Sequence, residues 1–85
     1  MAEIRLSPQA SEHYDDLDPS VREQVISRLE RAGDDLERYV EALSAEKYDK
    51  IRAGDYRALV RWDRDSTEIR VYVIGHRSVV YDRYL

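Results

Sequence analysis

The sequence predicts a small α+β domain. An N-terminal edge strand and a C-terminal three-stranded meander form a small antiparallel sheet, and two or three helices pack on one face. Three observations carry this. Apolar residues recur at helical spacing through the first half of the chain. From Lys47 onward the period changes to two. Ser7-Pro8, Asp18-Pro19 and Ala53-Gly54-Asp55 punctuate the two regimes as helix starts and a turn. At 85 residues the chain is read as one domain, 1–85, with a core small enough for a partner to add to its stability.

The elements follow in order. Glu3 to Leu6 places Ile4 and Leu6 on one side and reads as an edge strand. Ser7-Pro8 is an N-cap followed by proline at the first helical position, where the missing N–H costs nothing. The helix it opens aligns Ala10, Tyr14 and Leu17. Asp18-Pro19 repeats the signal. The second helix has an apolar stripe of Val21, Val25, Ile26 and Leu29, with Gly33 as the expected C-cap. Residues 34–45 have helical spacing at Leu36, Tyr39, Val40 and Leu43 and read as a third helix or a connector. In the meander, Tyr56, Ala58, Val60 and Trp62 alternate with Arg57, Leu59 and Arg61. Ile69, Val71 and Val73 alternate with Arg70, Tyr72 and Ile74, and Gly75-His76 ends the run. The tail after Arg77 has no strong period. One sheet face is expected to be covered by helices and the other open.

Composition narrows the chemistry. With no cysteine, disulfide frameworks, thiolate metal sites and thiol nucleophiles are excluded. The three glycines are isolated, so no glycine-rich phosphate loop is present. His13 and His76 are far apart, and no metal or other cofactor is expected. No apolar run approaches a membrane span and no early segment looks like a signal peptide, so the expected location is the cytoplasm with no membrane partner. The chain carries 14 basic residues, of which only Lys47 and Lys50 are lysine, against 18 acidic ones, for a net charge of −4. Such Lys-poor, acidic surfaces resemble those of salt-adapted proteins; GC-rich coding also favours arginine. Residues 1–44 carry the acidic excess and residues 45–85 a slight basic one. Net acidity argues against nonspecific nucleic-acid binding, while the split permits a local basic face.

That basic half holds one informative cluster. Lys50, Arg52 and Arg57 flank the 53–55 turn, Arg61 continues the Arg57 face, His76 and Arg77 follow the last strand, and Tyr81 lies just beyond. Neighbouring strands lie about 5 Å apart, so a meander lets these groups share one face. Arginine gives bidentate contacts to phosphate oxygens, His, Lys or Tyr can move a proton, and Tyr can stack on a base. The same residues also read as an ordinary polar face paired with nearby acids. The carboxylate pairs Asp15-Asp16 and Asp34-Asp35 read as solvated surface.

The segment Tyr48-Asp49-Lys50-Ile51-Arg52-Ala53-Gly54-Asp55-Tyr56-Arg57, the later Val73-Ile74-Gly75-His76-Arg77 and Tyr81 resemble the RelE/ParE toxin superfamily. The helix opening Asp18-Pro19-Ser20-Val21-Arg22 is similar to that family's second helix. The resemblance covers nearly the whole chain. It implies a type II toxin neutralised by a cognate antitoxin encoded in an adjacent gene, with the complex binding operator DNA. RelE-like members cleave mRNA in the ribosomal A site without a metal, by 2′-hydroxyl attack on the phosphodiester. ParE-like members share the fold and poison DNA gyrase. Carried over by position, Lys50 matches a catalytic lysine and Arg52 a second lysine, the candidate base. Arg57 matches the phosphate-holding arginine, Arg77 the arginine at the leaving oxygen and Tyr81 the base-stacking tyrosine. Lys47 and Arg61 are expected to add RNA contacts. The near-complete set favours an endoribonuclease over the alternatives, a gyrase-directed toxin or a degenerate one that only binds antitoxin and operator.

Two departures bear on mechanism. Arg52 stands where the family has lysine, and a guanidinium does not deprotonate in a protein. His76 is then the expected proton acceptor, with Lys50 a rival if neighbouring arginines lower its pKa. The second departure is acidity, since the ribosome is polyanionic; a salt-rich cytoplasm would screen that repulsion.

Overall fold

A computed structural model describes residues 2–41, 47–63, 65 and 67–85. The chain runs β1 (Glu3–Leu6), α1 (Pro8–Asp15), α2 (Pro19–Asp34), α3 (Leu36–Tyr39), β2 (Val40–Glu41), β3 (Asp49–Ala53), β4 (Tyr56–Asp63), β5 (Glu68–His76) and α4 (Arg77–Tyr84). The strands form one five-stranded sheet in the order β1-β5-β4-β3-β2. The α+β class, the N-terminal edge strand and the meander are as expected; β1 joins the edge parallel to β5, while the other pairs are antiparallel.

Local chemistry explains the element starts. Ser7 caps α1 by accepting a hydrogen bond from the Ala10 N–H at 3.0 Å. Asp18 stands at the N-cap of α2 without a side-chain bond, and Pro19 sets the first turn. Gly33 is not the C-cap: it lies within the last turn of α2, and Asp35 ends the helix. Its missing side chain serves packing instead, because a Cβ there would meet the Ala2 carbonyl oxygen at 2.9 Å, and Gly33 O accepts the Ala2 N–H at 2.7 Å. Of the segment 34–45, the described part forms the short α3 and then β2; Leu43 lies outside the described residues. The β3–β4 connection is a two-residue turn. Gly54 has φ +62° and Asp55 does not follow it into positive φ, the pattern of a type II′ hairpin.

The core has two parts, one on each side of the sheet. Val25, Leu29, Ala32 and Ala10 of α1 and α2 bury Ile51, Ala53, Ala58, Val60, Ile69, Val71 and Ile74. On the opposite face Val80 of α4 buries Leu59 and Val73, with Tyr48, Tyr72 and Tyr84 packed around them. The expected open face is therefore partly covered, by a helix in the tail that showed no period. A β-bulge explains how Val71 and Val73, read as same-face residues, reach opposite faces. The β4–β5 register steps from Val60↔Val71 to Leu59↔Val73, leaving Tyr72 as the extra residue. From Val73 onward every β5 side chain is turned over relative to strict alternation. Gln9 Nε2 (3.0 Å) and Ser7 Oγ (3.4 Å) donate to the Tyr72 carbonyl, and His13 Nδ1 accepts from the Ile74 N–H at 3.2 Å, so α1 pins the bulge.

Candidate active site

The β3–β4 hairpin presents Lys50, Arg52 and Arg57 on the α4 side of the sheet, with Arg52 directly opposite Arg57. Arg57 is only 4% exposed. A guanidinium so buried needs acceptors. Its Nη1 donates to Gly54 O at 2.7 Å and Tyr56 O at 2.8 Å, and its Nε to the Tyr81 hydroxyl at 3.2 Å. The hairpin's own backbone thus fixes the fork, and among the described residues no partner takes Nη2. Lys50 Nζ donates to the same Tyr81 oxygen at 3.0 Å and pairs with Glu41 at 3.3 Å. Two cations from adjacent strands therefore converge on one phenol oxygen, which α4 delivers by docking Val80 on the sheet.

This geometry moves both titrating groups. The hydrogen bond from Lys50, and then that from Arg57, lowers the Tyr81 pKa below its ordinary 10.0. Lys50 goes up from 10.5: its bond to Tyr81 is the largest cause, burial opposes it, and the bond to Glu41 adds a smaller rise. The condition under which Lys50 would rival His76 as the base, a pKa lowered by neighbouring arginines, is therefore not met.

The remaining expected residues fall in three places. Arg77 opens α4 at the hairpin tip, its N–H bonded to Asp55 O at 2.8 Å and its Nε 4.0 Å from Asp55 Oδ1. It therefore shares the Gly54–Asp55 turn with Arg57. His76 is on the other face. The bulge turns its ring onto Tyr56, edge to face at 5.5 Å, while Nδ1 accepts the Ser78 N–H at 3.3 Å as the N-cap of α4. Lys47 and Arg61 lie at the far end of the α4-side face, joined by a 3.3 Å bond from Arg61 Nη1 to Lys47 O. Glu41 and Asp55, the acids that hold Lys50 and Arg77, escaped the sequence reading. Glu41 sits in the segment read as helix or connector, and its cross-strand pairing with Lys50 follows only once β2 is seen. Among the described residues no group of three His, Asp or Glu gathers as a metal site, and no helix is long and apolar enough to cross a membrane.

Fold and cluster together define a small α+β domain that gathers basic residues on the α4 side of its sheet. The family described as the ParE toxin of type II toxin–antitoxin systems matches residues 4–81. The chain belongs to the RelE/ParE toxin superfamily. Among solved structures, the fold is similar to the Mycobacterium tuberculosis RelBE2 toxin–antitoxin complex, with 22% identity over 89% of this chain and 98% of that one, at a TM-score of 0.79. It is also similar to the Escherichia coli RelBE complex, with 19% identity over 89% of this chain and 96% of that one, at 0.73. The Methanococcus jannaschii RelB–RelE complex matches 95% of this chain and 99% of its own at 16% identity and a TM-score of 0.69. At these identities the likeness is one of fold. No curated protein matches the chain.

Proposed function

We propose that the protein is the toxin of a type II toxin–antitoxin system and acts as a metal-independent endoribonuclease on mRNA at the ribosomal A site. The observation that carries the reading is the convergence of Lys50 and Arg57 on the Tyr81 oxygen. An anionic phosphate oxygen beside the phenol oxygen would take donors that Tyr81 leaves over, a remaining Lys50 Nζ hydrogen and Arg57 Nη2. In this reading Arg57 and Lys50 bind the scissile phosphate, Arg52 adds charge beside them, and Arg77 stabilises the leaving oxygen. Lys47 and Arg61 contact RNA away from the reacting atoms. Tyr81, whose acidity is raised, accepts the 2′-hydroxyl proton as phenolate. The 2′-oxygen–phosphorus bond forms as the phosphorus–5′-oxygen bond breaks. The products are a 2′,3′-cyclic phosphate and a 5′-hydroxyl protonated from solvent. His76 acts as a positioning residue, because its Nδ1 and ring hold α4 rather than face Arg57.

A cognate antitoxin from an adjacent gene fits the same reading, since the similar solved structures are of toxin–antitoxin complexes; the toxin–antitoxin complex then binds operator DNA. A gyrase-directed action is the second reading, favoured by the ParE family match. The test is a cell-free translation reaction with end-labelled mRNA, run beside a gyrase supercoiling assay. Truncated message that disappears with Arg57→Ala supports the nuclease. Intact message with inhibited supercoiling refutes it.

A further inference from the structure

The α4-side face of the sheet continues beyond the Lys50–Arg57–Tyr81 cluster. Beside Val80 and Tyr84 of α4 it carries Tyr48 and Tyr72, half-buried, with ring centroids 5.6 Å apart and planes tilted 40°. Their inner surfaces rest on Leu59, Val73 and Val80. Lys47 Nζ lies 5.7 Å from the Tyr48 ring, Arg61 braces the Lys47 carbonyl, and Arg70 stands across from Arg61 on β5. The acid in this group is Glu68, which holds Arg70 at 2.6 Å. The pair is also firmly built: Tyr72 is the bulge residue, and Gln9 and Ser7 fix its carbonyl.

We propose that Tyr48 and Tyr72 form a nucleobase platform, on which a base of single-stranded RNA flanking the scissile phosphate stacks while Lys47, Arg61 and Arg70 take its phosphates. This rests on the endoribonuclease reading above. Anchored tyrosines beside cations are the chemistry of single-strand recognition, in which aromatic faces take bases and the charges track the backbone. The basic half of the chain supplies the charge complementarity that the net −4 of the whole denies. Leu59, on which the rings pack, is two residues from Arg57 on the same face of β4 and Arg61 is four, so the platform and its cations stand about 7 to 13 Å from the phosphate site at ~3.3 Å per residue. A dinucleotide bound at Arg57 reaches the near edge of the platform, and a longer strand covers it and the cations beyond.

The test is binding of the full-length protein to a non-cleavable 2′-deoxy octanucleotide and to a dinucleotide of the same chemistry, followed by fluorescence anisotropy. The octanucleotide carries 2-aminopurine at the flanking position, whose emission falls on stacking. Tyr48→Leu with Tyr72→Leu, which keeps apolar volume over Leu59 and Val73, is expected to weaken octanucleotide binding roughly 10- to 100-fold and restore the emission. Dinucleotide binding, which leaves Lys47, Arg61 and Arg70 unused, weakens less than octanucleotide binding, and Tyr48→Phe with Tyr72→Phe behaves as the parent. Parent-like affinity and quenching in the leucine variant would overturn the platform, as would failure of the parent to bind the octanucleotide. Because no cleavage is read, these outcomes are independent of the message-truncation assay: mRNA cut by a protein indifferent to Tyr48 and Tyr72 sinks only the platform.

Discussion

Arg57 brings a positive charge into the interior of the domain and uses the backbone of its own turn to hold it there. Replacing it with alanine strands the Gly54 and Tyr56 carbonyls as well as removing a phosphate donor. Arg57→Ala is therefore expected to lower stability by about 1–3 kcal/mol and mRNA cleavage by about 10²–10³. The exposed Arg77→Ala separates the two effects, lowering cleavage at unchanged melting temperature. Proton transfer is tested by the pH profile. With the Tyr81 pKa lowered, cleavage should rise with pH to a plateau reached below the ordinary tyrosine value of 10.0. Tyr81→Phe should abolish that rise and cost at least ~10² in rate. His76→Gln should keep the rise and lose about 0.5–2 kcal/mol of stability with the helix cap. Abolition of the pH dependence by His76→Gln, with Tyr81→Phe still active, would return the base role to the histidine. Lys50 moves the opposite way. Its raised pKa means that its pairing with Tyr81 and Glu41 is fully present below 10.5 and is lost as pH climbs through the folded value. The stability deficit of Lys50→Met, measured by denaturant titration, should accordingly be seen at neutral pH and fade in strong alkali.

At the scale of elements, α4 decides whether the site exists. It rests on the sheet through Val80, which is fully buried and packs so closely that a Cβ on Gly75 would stand 3.2 Å from Val80 Cγ2. Val80→Ala should loosen the helix and lower cleavage through Tyr81, whereas Val79→Ala, on the exposed side of the same helix, should change neither stability nor rate. The β3–β4 hairpin is equally demanding. Gly54→Ala forces a left-handed φ of 62° on a residue with a Cβ and drives that Cβ into the Gln24 amide, so a lowered melting temperature is expected. The sequence displayed the hairpin plainly, because Gly54-Asp55 between alternating runs carries its own geometry. It did not display α4, because Val80 is the helix's one buried residue and Tyr84 is only half-buried, too little for an apolar stripe. The bulge was equally silent. Val71, Tyr72, Val73 and Ile74 alternate as well with an extra residue as without one. Only the α1 side chains on the Tyr72 carbonyl and Ile74 N–H reveal the step. Through that one residue the reading placed His76 on the face of Arg57, while Lys50, Arg57 and Tyr81, which precede the bulge or hang from α4, came together as expected.

For the whole molecule the sheet divides the labour. The α1–α2 side builds most of the core, and the α4 side collects Lys50, Arg52, Arg57, Arg61 and Tyr81 against an acidic remainder. Attraction to RNA is then local, and repulsion from the acidic body is screened by salt, so cleavage should tolerate high ionic strength better than a phosphate-tracking surface alone would allow. A core this small also leaves room for a partner: the adjacent gene's product should co-purify in stoichiometric complex and raise the melting temperature, and an unchanged melting point would speak against it. The central claim, that this face performs phosphoryl transfer, is tested most directly by the new 3′ ends of mRNA recovered from a translation reaction containing the protein. The expected result is 2′,3′-cyclic phosphate ends that vanish with Arg57→Ala. Message without new ends, or new ends that persist undiminished in Arg57→Ala, would contradict it.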